Sequence, residues 1–429
     1  MEKLPLDQIA RKSGFVQRIP RKLQPRALVQ AACQLTLQQS VSLRDWAILI
    51  GLASATLISK QDLSKRFTSR AVSYMAQVLQ ALLQDLFRPP RPLPAEALAP
   101  FKRAIAQDST SARVHPMLAR LFRGGRNQRG QQDGQLKIQA TYDLRSEQWL
   151  HFSLGDLRCN DQSASPDILQ LVRPGDLVIR DLGYLVLSVL RAIAAKEAFF
   201  LSRWRYGLQL FWPDGRPLKL LKELRARHGV FDAQVLAGAP EKLPLRLIAI
   251  PLTAEQVNAR RRQARATARR DRRCRPGPER MALLGWSIFL TNVSRSVWSA
   301  RTAARVYGLR WRVEIVFKAW KSHLQFTHLP TAAAAQLQVL VYARLMFVCL
   351  FQLCFALQEQ YLWENQGPPQ RTLSLLKLAS FVGDYAWLLI WADSSPELAQ
   401  FLQEQISYHC CYEQRKKRKN FHQKLRQLG

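Results

Sequence analysis

The stretch Tyr307–Lys321, YGLRWRVEIVFKAWK, decides how this chain is read. On an α-helix at about 100° per residue, with Tyr307 at 0°, Arg310 falls at about 300°, Glu314 at about 340° and Lys321 at about 320°. Leu309, Val313, Val316, Phe317, Trp320 and Leu324 gather on a separate arc near 230°. One face can therefore be buried while its border presents a carboxylate among two cations and a phenol. The spacing predicts a helix that starts between Ser299 and Arg301 and is over by Pro330. A solvated helix with an Arg310–Glu314 pair at i,i+4 would satisfy the same pattern.

The surrounding chain is long and basic. Its 429 residues carry 64 Lys and Arg against 31 Asp and Glu, a formal net charge of +33. Such an excess repels itself unless a polyanion is the usual partner, and a nucleic-acid backbone releases counterions when cations dock on it. A membrane surface or a ribosomal role would suit the same charge. With 48% hydrophobic residues and 11 Trp, the chain is a folded protein and not a basic tail. Seven scattered Cys without a CxxC pair read as reduced thiols, and the N-terminus lacks the apolar run of a signal peptide. No zinc-spaced His/Cys set, Gly-rich phosphate loop or serine elbow is present.

Outward from the signature, the pattern changes several times. Ala27–Gln38, Leu43–Leu52, Gln61–Phe67 and Arg70–Leu86 have helical spacing, with Lys60, Lys65, Arg66 and Arg70 interspersed. They suit a helix-turn-helix-like DNA-binding unit, or any small bundle. Arg88–Pro100 is Pro-rich and reads as a linker. A strand is expected to end at Asp108, followed by a strand pair at Gln135–Asp143 and Gln148–Leu154, with Gly124–Gly134 as an exposed loop. Asp176–Arg180 reads as a strand delivering Asp181, then a helix to Lys196 and a buried strand at Phe199–Arg203. Beyond it come short strands and turns, closed by the Arg-rich Asn258–Cys274, which reads as a solvated arm. Leu283–Asn292 is the last strand. From Ala332 the chain is helical; its most apolar run, Leu337–Leu357, reads as a buried core helix, and Arg415–Lys419 with Lys424–Arg426 form a basic tail.

Tyr307, Arg310, Glu314 and Lys321 spell Y-x2-R-x3-E-x6-K, which resembles the YREK signature of bacterial DDE transposases of the insertion-sequence-four family. The resemblance implies an α/β fold: a ribonuclease-H-like catalytic core with a β-rich insertion, flanked by N-terminal and C-terminal helical regions. It would divide the chain into a DNA-binding domain at 1–90, the core at 100–203 and 283–335, the insertion at 204–282 and a C-terminal helical region at 336–429. It makes Glu314 the last of three catalytic acids, and Asp108 in QDST and Asp181 in RDLGY resemble the contexts of the other two. Asp143, Asp156, Asp161 and Asp176 are rivals by position. Asp181 is preferred to Asp176 because ligands gather beyond the carboxyl ends of parallel strands.

Cleaving and rejoining a phosphodiester needs an activated oxygen nucleophile and a stabilised leaving oxygen. The family's two divalent cations supply both. Carboxylates favour Mg²⁺, with Mn²⁺ able to substitute, so Asp108, Asp181 and Glu314 are also the expected metal ligands. Tyr307, Arg310 and Lys321 are expected on transposon-end DNA, with Arg310 gripping phosphate and not standing as a fixed partner of Glu314. The implied partners are double-stranded DNA, both inverted ends and target, and a second copy of the chain assembled on it. A bacterial cytoplasmic location and no membrane follow from the same resemblance, as does a hairpin intermediate. A non-catalytic repressor derived from a transposase, or a nuclease of the same fold, would share the DNA partner without the joining step.

Overall fold

A computed structural model of the chain describes residues 4–18, 22–38, 41–85, 96–126, 130, 132–227, 229–271, 276–327, 329, 331–366, 372–391, 395–412 and 423. Most of the Pro-rich linker, residues 272–275 of the Arg-rich stretch, Pro330 and the basic tail lie outside the described residues.

Helices α1 (Leu6–Lys12), α2 (Pro25–Gln34), α3 (Leu43–Ser54), α4 (Lys60–Ser64) and α5 (Ser69–Asp85) open the chain, close to the runs with helical spacing. Ser42 caps α3 reciprocally with Asp45, and Ser59 caps α4, so donors at both helix starts are satisfied. Then come β1 (Ala104–Arg113), β2 (Arg123–Arg126), β3 (Gln132–Asp143), β4 (Gln148–Asp156), β5 (Leu177–Arg180), α6 (Leu187–Ala195) and β6 (Phe199–Arg203). Residues 204–282 supply β7 (Leu210–Phe211), α7 (Leu220–Ala226), β8 (Phe231–Ala237), β9 (Leu243–Pro251), α8 (Ala254–Arg270) and α9 (Pro278–Leu283). The chain continues with β10 (Trp286–Thr291), α10 (Ala300–Tyr307), α11 (Trp311–His323), α12 (Ala334–Gln366), α13 (Leu375–Trp391) and α14 (Pro396–His409).

The strands form one mixed sheet in the order β2-β3-β1-β5-β6-β10-β9-β8-β7, with β4 also paired to β3. At its centre β1, β5 and β6 run parallel, and β5 (LVIR) is buried throughout, as expected of a strand covered on both faces. The strands drawn from residues 204–282 extend this same sheet, antiparallel, through β10.

Alternation along the strands sorts side chains onto two cores. Ala104, Ala106, Leu177 and Ile179 face the first, shared with α11; Ile105 and Val178 face the second, shared with α6 and α7. The first core runs without interruption from Leu4 to Cys411, so the N-terminal helices share it with α12. By length and composition α12 could cross a membrane, but 67% of its most apolar window is buried inside the protein. Leu337, Val341, Leu345 and Val348 on it are fully covered, the burial expected of a core helix.

Three expectations change. Strand β1 does not stop at Asp108: its parallel pairing with β5 ends at Gln107↔Arg180, yet its ladder with β3 continues to Arg113↔Gln135. Within the loop expected at 124–134, the chain instead forms β2 and the start of β3. Gly124 permits this, since a Cβ there would meet the Asp133 carbonyl oxygen at 2.5 Å. The signature is not one α-helix either. Gly308–Arg310 tighten into a 3₁₀ turn between α10 and α11, where a glycine lowers α-helical preference. Ser299 caps α10 by accepting from the Thr302 N–H, and α11 ends at His323, ahead of Gln325 at φ +57°.

Helix α11 is held by its apolar face and by one buried ion pair. Trp320 is fully buried within 4.9–6.0 Å of the rings of Trp149, Phe152, Phe317 and Phe326. Arg312, 1% exposed, meets Glu147 of the β3–β4 turn at 2.8 and 3.0 Å. Burial alone would lower the Arg312 pKa, but Glu147, Tyr142 and Glu359 together raise it. Removing one member of such a pair strands a buried charge, so Glu147→Ala should lower unfolding free energy by about 3–5 kcal/mol. Denaturant titration checks this; a loss below about 1 kcal/mol, the scale of an exposed pair, would contradict it.

Candidate active site

The middle of one strand, the end of a second and one helix turn build the site. Asp108 occupies the first position of β1 beyond the pairing with β5. Asp181 follows the last residue of β5 and opens the 3₁₀ turn Leu182–Tyr184. Glu314 lies in the first turn of α11, which packs on the sheet face that Asp108 shares with Ala104 and Ala106.

The three acids meet on one guanidinium. Arg310 Nη1 donates to Asp108 Oδ2 at 2.9 Å, Nη2 lies 3.7 Å from Asp181 Oδ1, and Nη2 also donates to Glu314 Oε1. Tyr307 donates its hydroxyl to Asp181 Oδ1 at 3.2 Å, and the Ser109 N–H donates to Asp108 Oδ1 at 2.8 Å. Side-chain exposure is 16% at Asp108, 41% at Asp181 and 32% at Glu314. Asp108 is the deepest.

Burial pushes the Asp108 pKa up from 3.8 to about 6; Arg310 pulls it back, while Asp181 and Glu314 add to the rise. Arg310 feels the reverse: burial alone would lower it, and Asp181, Tyr307, Asp108 and Glu314 together raise it. Burial, then Asp181, raises the Tyr307 phenol.

Tyr307 and Arg310 are thus turned onto the carboxylates. Clustered negative charge attracts the nearest cation, and Arg310 is one helical turn from Glu314. Lys321 stands apart: it is exposed, makes no ion pair or hydrogen bond among the described residues, and its pKa is lowered by partial desolvation. The rival acids are committed elsewhere. Asp143 accepts from the Ala104 and Arg145 N–H groups, Asp156 pairs with Arg158, Asp161 with Lys137 and Asp176 with Arg103.

Among the described residues no three or more His, Cys, Asp or Glu side chains close into a metal cage. The donor chemistry nonetheless fits a hard divalent cation. All three acids offer carboxylate oxygens, and positive charge is already drawn into their midst. Sequence reasoning missed the layer beneath the acids, where Gln107, Gln139, Ser165, Arg180 and Tyr184 are almost fully buried. The available signal was Arg180, a charged residue ending the apolar strand LVIR.

A mixed α/β fold that brings an aspartate within β1, an aspartate just past β5 and a helix glutamate onto one cation defines a three-carboxylate class of site. The transposase DDE domain matches residues 99–350, and the chain belongs to that family: it is a transposase. It is similar to the transposases for insertion sequence elements IS231B and IS231C of Bacillus thuringiensis subsp. berliner, 27% and 28% identical over 90% of this chain and 84% of each relative. It also resembles the transposase for IS1151 of Clostridium perfringens, 22% identical over 68% of this chain and 65% of that protein.

The Asp108 shift has a signed consequence. With its folded pKa raised, its contribution to stability is complete below about pH 4 and lost as the pH rises through 6. Unfolding free energy of the native chain minus that of Asp108→Asn should therefore fall by about 3 kcal/mol from below pH 4 to above pH 6. A difference that stays flat, measured by denaturant titration, would contradict the burial of this carboxyl.

Proposed function

We propose that the chain cuts DNA at the ends of a mobile element and joins the freed 3′-hydroxyl to target DNA, with Asp108, Asp181 and Glu314 as catalytic residues. The observation that carries this reading is their convergence, from β1, β5 and α11, on the Arg310 guanidinium. The central strands β3-β1-β5-β6, with α11 across them, are read as a ribonuclease-H-like core. Residues 1–90 are read as a DNA-binding unit, 204–282 as an insertion and 336–429 as a C-terminal helical region. Two copies would assemble on the paired ends, in the bacterial cytoplasm, and excision would pass through a hairpin.

Two Mg²⁺ ions, or Mn²⁺ in their place, would be held by the three carboxylates and supply activation of the attacking oxygen and charge neutralisation at the leaving oxygen. The chain's own part is positioning. Asp108 and Asp181 are fixed by strand register, and Glu314 by the buried face of α11. Arg310 would exchange its carboxylates for phosphate oxygens, to which its planar fork can donate twice, and Tyr307 would offer its hydroxyl. Lys321, already exposed, would meet a neighbouring phosphate as a mobile charge.

Glu314→Gln should leave DNA binding unchanged and lower end cleavage by orders of magnitude, because one ligand of a two-metal site is lost. Normal cutting by that variant would sink the assignment. Arg310→Ala separates a DNA clamp from a fixed structural partner. As a clamp, its loss keeps Mn²⁺ affinity and the melting temperature measured with Mn²⁺ bound, while end cleavage and hairpin formation fail. As a fixed partner, its loss lowers melting temperature and Mn²⁺ affinity together.

Helix α8 refines the expected basic arm. Arg260 donates to the Trp286 carbonyl and the Ser287 hydroxyl, and Arg261 to the Met281 carbonyl, so these two serve the fold. Arg262, Arg265, Arg269 and Arg270 are exposed and would meet phosphate, Arg270 by exchanging its partner Asp271. Changing these four to Gln should reduce the salt slope of DNA binding by up to about 3–4. An unchanged slope would remove α8 from the interface.

A further inference from the structure

The sheet face opposite the three acids carries a buried polar layer that the reaction itself does not use. Gln107 and Arg180 each immediately precede a catalytic aspartate, and they are the last cross-strand partners of the parallel β1–β5 ladder. Alternation turns both away from the acids, and there Arg180 Nη2 donates to Gln107 Oε1 at 2.8 Å. The same nitrogen donates to the carbonyl and hydroxyl of Ser165, both at 2.9 Å, while Gln107 Nε2 donates to the Ala164 carbonyl at 2.9 Å. Ser165 in turn donates to the carbonyl of Tyr184, in the turn that Asp181 opens, and the Tyr184 hydroxyl donates to Gln139 on β3. Both acid-bearing segments are thus bolted to one short stretch, residues 164–165.

We infer that Arg180, through Gln107 and Ser165, is a positioning residue that sets the separation of Asp108 from Asp181. The inference rests on the catalytic reading of those two acids. Beyond Gln107↔Arg180 no backbone ladder joins the two segments: β1 goes on with β3 while β5 stops. The side-chain bond is therefore the last cross-link before the acids, whose Cα atoms lie about 3.8 Å further along each chain. A second tie reinforces it. Asp161 accepts from Ser109, next to Asp108, at 2.9 Å and from Lys137 at 2.7 Å, and it packs so closely on Gly183 that a Cβ there would meet its Oδ2 at 2.8 Å.

Stability does not account for the guanidinium. Arg180 is 0% exposed, and among the described residues its Nε and Nη1 lack hydrogen-bond partners and no carboxylate pairs with it. An apolar side chain of similar volume would serve packing at least as well. What the planar group adds is a fork reaching a strand neighbour and a loop at once.

The test is Arg180→Met, read by Mn²⁺ binding, DNA affinity, end cleavage and melting temperature in the full chain. Melting temperature should change little, removal of the buried charge offsetting the acceptors left on Gln107 and Ser165. DNA affinity should be unchanged, while Mn²⁺ affinity falls about tenfold or more and the cleavage rate falls with it, the scale for groups that orient metal ligands. Gln107→Leu should show the same loss of Mn²⁺ affinity. Gln107→Glu keeps an acceptor for Arg180 but loses the donor to the Ala164 carbonyl, so its Mn²⁺ affinity should lie between the native value and that of Gln107→Leu. This pair decides the matter if Arg180→Met does not fold: Glu no better than Leu would overturn the inference. Native Mn²⁺ affinity in Arg180→Met would overturn the inference, as would melting temperature and Mn²⁺ affinity falling together. If Asp108→Asn leaves Mn²⁺ binding and cleavage unchanged, the reading of the site itself fails, and this inference with it.

Discussion

Three carboxylates in one half-buried cleft repel each other, and Arg310 is the charge that lets them stay together. Each carboxylate loses solvation as it approaches the others, and Asp108, the deepest, shows the strain in its raised pKa. A guanidinium answers with several donors in one plane, and Arg310 reaches all three acids at once. A carboxylate cluster so arranged binds positive charge strongly but without commitment to one kind. In the proposed reaction the same oxygens would hold divalent ions while the guanidinium would go to DNA.

The rest of the structure keeps that cluster in place from outside. Strand register fixes the two aspartates, since a slip of one residue would turn either to the opposite face of the sheet. Helix α11 fixes the glutamate through Trp320 in its aromatic cluster and Arg312 on Glu147, so both an apolar and an ionic contact set its height above the sheet. Beneath, the polar layer around Arg180 ties the two acid-bearing strands where their shared ladder ends. The strands contributed by residues 204–282 extend the same sheet, β9 pairing with β10 and so joining them to the core.

Local pattern carried much of this. The apolar strand before Asp181, the Ser299 helix start and the signature spacing all depend on neighbours in sequence, and the structure has them at those positions. What the sequence hid depends on partners far away. Strand β1 outlasts Asp108 because β3, some thirty residues on, still offers a ladder. Arg310 turns inward because Asp108, 202 residues earlier, completes a negative cluster that a helical wheel does not contain. Arg260 and Arg261 look solvated in a run of Arg until the carbonyls of Trp286 and Met281 come beside them. Arg180 is similar: its charge was visible in LVIR, but not the loop at Ser165 that gives it something to hold.

The central claim is that Asp108, Asp181 and Glu314 form one metal site acting on DNA, with Arg310 its exchangeable counter-charge. Anomalous diffraction from crystals of the chain bound to a transposon-end duplex and Mn²⁺ tests it most directly. The expected result is manganese peaks ligated by all three carboxylates, with the Arg310 guanidinium moved onto a DNA phosphate. Manganese bound elsewhere, with Arg310 still bridging Asp108 and Glu314 while DNA is in place, would contradict it.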